Sequence, residues 1–203
     1  MRFEQVSTQN KLILHSIIRL DMRKLTVKEL ARMDIEHYRL SRKIPVIIVL
    51  DDVRSMYNVG SVFRTSDAFR VERIILCGIT STPDKSLVEI HKTALGAEES
   101  VEWSYSEDCA SVVNELNEKG YMTIAVEQVE GSIKMDEFMF DSSERYALVL
   151  GNEVKGVNQK VVDLCKCSLE IPQYGTKHSL NVSVTAGLVI WEFFKNFRDL
   201  IDY

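Results

Sequence analysis

The chain has 203 residues, 45% of them hydrophobic and 27% charged, with a formal net charge of −5. That is the composition of an ordinary soluble globular protein, long enough for one domain with a full core and a small appendage. No apolar run approaches the roughly 20 residues that span a bilayer, so a membrane protein is not expected.

The first 45 residues carry ten Lys/Arg against five Asp/Glu, a local excess of +5 that leaves −10 on the remainder. A basic arm on an acidic body suits phosphate tracking, and a solvated helix face suits the same charges. Residues 10–41 read as helical. Leu12, Ile13, Ile17 and Leu20 recur at helical spacing, and Thr26 with Glu29 forms a capping-box pattern before Leu30, Met33 and His37. Met22 heads Met-Arg-Lys, and the segment before it reads as an extension of weak order. No apolar stretch ends in a small-residue cleavage site, so no signal peptide is expected and the cytoplasm is the expected location.

From Pro45 onward short β-rich runs alternate with helical ones. The strands are expected at Val46–Leu50, Arg73–Cys77, Ser100–Trp103, Tyr121–Val126, Tyr146–Leu150 and Ser168–Ile171. The helices are expected at Val59–Phe69, Lys85–Leu95, Glu107–Lys119, Gln159–Cys165 and Asn181–Phe197. Val46-Ile-Ile-Val-Leu50 is apolar on both faces, as buried parallel strands are. The expectation is an α/β domain over residues 45–203, a mostly parallel sheet with helices on both faces, preceded by a helical extension over 1–44. Of the four cysteines, Cys165 and Cys167 are two apart, as on one face of a strand, and no C-x-x-C pair occurs. Structural thiols in a reducing compartment are expected, and no metal site.

Ligands of such sheets bind beyond the carboxyl ends of the strands, which selects three loops. The first contains Asn58, placed at a helix N-cap, and Gly60 and Arg64 at i and i+4 on one helix face, where Gly60 leaves room above the arginine. Either Arg64 binds a phosphate or it pairs with Asp67 or Asp52. The second is Leu150-Gly151-Asn152-Glu153-Val-Lys-Gly156. It matches neither a Walker A loop nor G-x-G-x-x-G, but its glycines let backbone approach a ligand. Glu153 there is either a functional carboxylate or a helix cap. The third runs from Ile171-Pro172 to Ser179-Leu180-Asn181 and opens a long apolar helix. Ser183, Ala186 and Gly187 in that helix permit tight packing, in a core or a dimer seam.

Taken together, Asn58 with Arg64, Leu150-Gly-Asn-Glu-x-x-Gly156 and Ile171-Pro…Ser179-Leu-Asn-Val-Ser-Val resemble the three signature motifs of the SpoU/TrmH class of SPOUT RNA methyltransferases. Lys92-Thr-Ala-Leu-Gly-Ala97 resembles the segment between motifs. The resemblance covers about residues 45–197, while the N-terminal helices do not resemble the RNA-binding domain that some members carry.

The resemblance implies a deep C-terminal trefoil knot, a homodimer and an S-adenosyl-L-methionine pocket lined by Leu150, Gly151, Asn152, Glu153, Gly156, Ile171, Pro172, Leu180 and Asn181. It implies methyl transfer to a ribose 2′-hydroxyl of tRNA or rRNA without a metal. The catalytic set would be Asn58, Arg64, Glu153, Ser179 and Asn181. Guanidinium, with a pKa above about 12, is a poor base at neutral pH, so Arg64 is expected to hold phosphate and stabilise the developing alkoxide; the alternative, Arg64 as base, requires a severely lowered pKa. Base-nitrogen methylation and non-catalytic RNA binding are the alternatives.

Overall fold

A computed structural model describes residues 23–26 and 28–201. The chain divides into two compact units, Met1–Asp34 and Ile35–Tyr203. In the first, Thr26 and Glu29 form the expected reciprocal cap. The Thr26 N–H donates to the Glu29 carboxylate at 2.8 Å, and the Glu29 N–H donates to Thr26 Oγ1 at 3.4 Å. The helix expected to follow is a single turn, because Ala31 takes a left-handed φ of 44°. Arg23 also donates to Glu29, at 3.0 Å, and with the cap holds that carboxyl down to about 2. The helix expected over residues 10–22 lies outside the described residues.

The second unit begins with α1 (Ile35–Leu40) and is organised by a seven-stranded sheet. The strands are β1 (Ile44–Asp51), β2 (Val71–Cys77), β3 (Trp103–Ser106), β4 (Tyr121–Val126), β5 (Ile133–Lys134), β6 (Arg145–Leu150) and β7 (Cys167–Glu170). All pairings are parallel, in the order β3-β2-β1-β6-β4-β7-β5. The helices are α2 (Met56–Ala68), α3 (Leu87–Ala94), α4 (Ala97–Ser100), α5 (Cys109–Glu118), α6 (Gln159–Leu164) and α7 (Val182–Phe197).

The continuous apolar run of β1 is explained by burial on both faces. Val46, Ile48 and Leu50 join one core with Phe63 of α2 and Val189 and Phe193 of α7. Ile47 and Val49 point the other way, into a core with Val113 and Leu116 of α5 and Val161 of α6. Alternation along a pleated strand requires this split, and each such side chain contributes about 1.5–3 kcal/mol on burial. Tyr146 of β6 lies within an aromatic cluster of Phe138, Phe193 and Phe197. Its hydroxyl accepts from the Asp141 N–H at 2.9 Å, so the buried oxygen has a partner.

Several expectations are corrected. The strand expected at Ser100–Trp103 starts at Trp103, because residues 97–100 form α4 instead. There the buried Glu98 carboxylate accepts from the Gly96 N–H at 3.0 Å and faces His91. Cys165 and Cys167 do not share a strand: Cys165 caps α6, and Cys167 opens β7. The four cysteines are free thiols. A hydrogen bond with Cys77 and burial push the Cys109 thiol far up, which disfavours its thiolate. No helix among the described residues is long and apolar enough to cross a membrane.

Candidate active site

The carboxyl ends of β4, β6 and β7 converge on a cavity of about 520 Å³. Its walls include Leu150, Gly151, Asn152, Glu153 and Gly156 from the loop after β6. Ile171, Ser179, Leu180 and Asn181 come from the segment after β7. Of the expected ligand-binding residues, Pro172 alone does not line it. The N-terminal end of α7 borders the cavity through Val182 and Thr185.

Asn58 does not cap α2. Ser55 is the N-cap, and its hydroxyl accepts from the Asn58 N–H at 3.4 Å. The shift places Asn58 in the first turn, where its side-chain amide bridges two other loops. Its Nδ2 donates to Glu153 Oε1 at 2.9 Å, and its Oδ1 accepts from Asn181 Nδ2 at 3.2 Å. Asn181 meanwhile caps α7, its Oδ1 accepting from Ser183 N at 2.8 Å and from Val184 N at 3.4 Å. The three loops therefore meet through an Asn181–Asn58–Glu153 chain.

Glu153 also accepts from the Arg54 and Ser55 N–H groups, at 3.0 and 2.9 Å. Burial acts to raise its pKa, but the Arg54, Asn58 and Ser55 donors outweigh burial and hold it below the usual carboxylate range. Glu153 is thus a fixed anion at neutral pH, tying the β6 loop to the start of α2.

The glycines of the β6 loop serve a purpose the sequence does not reveal. Asn152 and Gly156 pair their backbones at 3.0 and 2.9 Å, closing the loop on itself. A Cβ on Gly151 would lie 2.1 Å from Val157 N, and one on Gly156, at φ 69°, would lie 2.1 Å from a Glu127 carboxylate oxygen. Close approach is needed, but within the protein. The same correction applies to Gly60. The space above it is filled by α3, since a Cβ there would lie 2.2 Å from Thr93 Oγ1 and 2.3 Å from the Ile90 carbonyl.

Arg64 stands apart from this cluster. Six residues turn a helix by about 600°, so Arg64 is rotated about 240° from Asn58 and lies about 9 Å along the axis. It shares the outer stripe of α2 with the exposed Tyr57 and Ala68. Among the described residues it has no ion-pair or hydrogen-bond partner, so pairing with Asp67 or Asp52 does not occur. Asp67 instead receives the Ser100 hydroxyl, and Asp52 receives the Ile79 N–H at 2.9 Å. Glu127 and Gln128 at the end of β4, with His178, are further cavity residues that the sequence did not single out. No group of metal-ligating side chains occurs among the described residues.

This architecture, a parallel sheet whose strand ends and α7 border a cavity, has counterparts among solved structures. It overlays the A. aeolicus TrmH/SpoU tRNA modifying enzyme with a TM-score of 0.71 at 24% identity, covering 82% of this chain and 83% of that one. An AdoMet-bound rRNA methyltransferase from Sinorhizobium meliloti gives a TM-score of 0.69 at 24% identity, over 84% and 62% of the two chains. Residues 45–191 match the SpoU rRNA Methylase family, and the chain belongs to it. The 23S rRNA (guanosine-2'-O-)-methyltransferase RlmB of Neisseria meningitidis is 32% identical over 151 residues, 73% of this chain and 57% of that protein. The chain spans about three fifths of the length of the curated relatives it matches.

Proposed function

We propose that this chain methylates a ribose 2′-hydroxyl of tRNA or rRNA with S-adenosyl-L-methionine, acting as a homodimer in the cytoplasm. The observation that carries this reading is the meeting of three distant loops through Asn58, Glu153 and Asn181 at the mouth of the cavity.

The cavity fits the donor in kind. Its volume of about 520 Å³ suits a nucleoside-sized ligand, its walls mix aliphatic side chains with exposed backbone, and its glycines close the turn beside it. Leu150, Ile171 and Leu180 would flank the adenine while Gly151, Asn152, Gly156 and Asn181 hold the polar edges. When bound, the donor supplies a methyl group already activated by a sulfonium, so no metal is required. Ser179 and Asn181 border the acceptor side. Arg64, unpaired and exposed, would hold the RNA phosphate and stabilise the alkoxide as it forms.

The homodimer accounts for two further features. Val184, Leu188 and Trp191 form an exposed stripe on α7, 51%, 45% and 47% accessible, and a Cβ on Gly187 would meet nothing within 4 Å. A second copy covering this stripe could present its own Arg64 to the cavity, which Arg64 does not reach within its own chain. Residues 45–203 would be the catalytic domain, since the family match begins at 45, and 1–44 its extension. The threaded C-terminus of the class is also proposed. β7 lies beyond β4 while α7 packs on α2 and β1, and the 171–181 connection between them is the segment that would be threaded.

Base methylation needs a carboxylate available to a base edge. Glu153, the carboxylate expected among the catalytic residues, is already bound to three donors and is not free for that role. The test is mass spectrometry of nucleosides from RNA treated with the purified protein. A 2′-O-methylated nucleoside supports the reading, whereas a base-methylated one or no product refutes it. In the same assay Arg64→Ala should lower turnover about 100- to 1000-fold with donor affinity unchanged by calorimetry. Turnover within a few-fold of wild type would remove Arg64 from the mechanism.

A further inference from the structure

We propose that Glu127 is the residue that binds the ribose diol of the methyl donor, through a carboxylate held in place by the turn it closes; this rests on the donor-binding reading above. Glu127 follows the last residue of β4, and its backbone is fixed to β7. Its N–H donates to the Leu169 carbonyl at 3.1 Å, and its carbonyl accepts the Ser168 hydroxyl at 2.9 Å. The side chain is fixed as well. One carboxylate oxygen accepts from the Val157 N–H at 3.0 Å and the other from the Gln128 N–H at 2.9 Å. Gly156, at φ 69°, is the only kind of residue that admits this approach, since a Cβ would lie 2.1 Å from that carboxylate.

A carboxylate offers about four acceptor positions, and two of these are taken. The remainder belong to a group that lines the cavity. A vicinal diol presents two adjacent O–H donors, one for each oxygen. Elsewhere in α/β proteins a glycine turn and a nearby carboxylate divide the work in this way, the carboxylate receiving a ribose hydroxyl. The other cavity carboxylates are poorer choices. Glu153 already has three donors. Glu170 has no hydrogen bond among the described residues to fix its side chain, so binding would cost it rotamer freedom.

The test is calorimetry on the full chain, with S-adenosylhomocysteine, its 2′-deoxy analogue and S-adenosylmethionine as ligands. Removing the 2′-hydroxyl should weaken binding to wild type roughly 10- to 100-fold, the range for a hydrogen bond to a charged group. Glu127→Gln should weaken the parent ligand by a similar factor but barely weaken the deoxy analogue further, because both changes delete one contact. Donor and product should fall equally, since they share the diol. Penalties that multiply would overturn the proposal, as would a wild type indifferent to the hydroxyl. Loss confined to S-adenosylmethionine would also overturn it, because it would point to the sulfonium. Thermal melts without ligand report the loss of the Val157 tether separately. If the Gln variant does not fold, Glu127→Asp takes its place under the same criteria. A wild type that binds no donor or product refutes the methyltransferase reading itself, whereas normal wild-type discrimination with multiplying variant penalties refutes Glu127 alone.

Discussion

The 151–157 turn and the 172–180 segment border the same cavity, and they differ in how their backbone is satisfied. In the turn, Asn152 accepts from the Val154 and Lys155 N–H groups at 2.9 and 3.1 Å and donates to the Asp52 carbonyl at 2.8 Å. Glu127 and Glu153 then anchor the turn on both sides. The 172–180 segment makes no hydrogen bond among the described residues, and Tyr174 at its crest is 96% exposed. One wall is built before any ligand arrives. The other has no hydrogen bonds of its own among the described residues to hold it, and each residue that a ligand fixes there costs roughly 1–2 kcal/mol. Where a site must be both selective and open, rigidity on one side and openness on the other satisfy both demands.

Within this comparison, the largest expected effect comes from cutting the bridge that Asn58 makes between Glu153 and Asn181. Asn58→Ala leaves Glu153 and Asn181 each short of a partner, and steady-state assays should show methyl transfer reduced about 100-fold, the scale of a misplaced reacting group. A loss under about threefold would mean the bridge is dispensable. Next, Gly156→Ala attacks the built wall directly. The positive φ and the contact with Glu127 should together cost at least about 1–2 kcal/mol in urea unfolding. Unchanged stability would show that the turn has slack.

Hydrogen exchange addresses the contrast itself. Amides of 152–157 should be protected without ligand, while those of 173–180 should exchange rapidly and slow when donor is added. Equal protection of both segments would erase the distinction. The smallest effect is acidic. Because Glu153 has a folded pKa below its ordinary 4.5, its stabilising contribution is full above that value and is lost as pH falls through the lower folded one. Urea titrations below pH 4.5 should therefore show a shallower decline for Glu153→Gln than for wild type, and parallel curves would contradict the assignment.

The regular parts of the molecule could be read from the chain because local pattern and final environment agree there. Tyr121–Val126 is a strand within its expected bounds, and the doubly apolar run of β1 is buried on both faces as parallel packing demands. The misreadings have tertiary causes. Ser100 went to a helix because Glu98 folds back to bond Gly96. Gly60 is small on account of α3, and Gly156 on account of Glu127. Asn58 was legible as a candidate but not as a bridge, since its partners lie 95 and 123 residues away. Glu127 carries no local signal, because the amide it anchors is 30 residues further on.

The partner of β1 at the centre of the sheet has a consequence for how the protein comes into being. Val46 aligns with Tyr146, a hundred positions later, and the loops that form the cavity follow β6 and β7. Contacts of such long sequence separation make folding slow. A nascent chain leaving the ribosome thus holds Asn58 early but has nothing for it to join until Glu153 and Asn181 have followed. The walls of the cavity are complete only once α7 has been made, so shorter nascent chains lack the site.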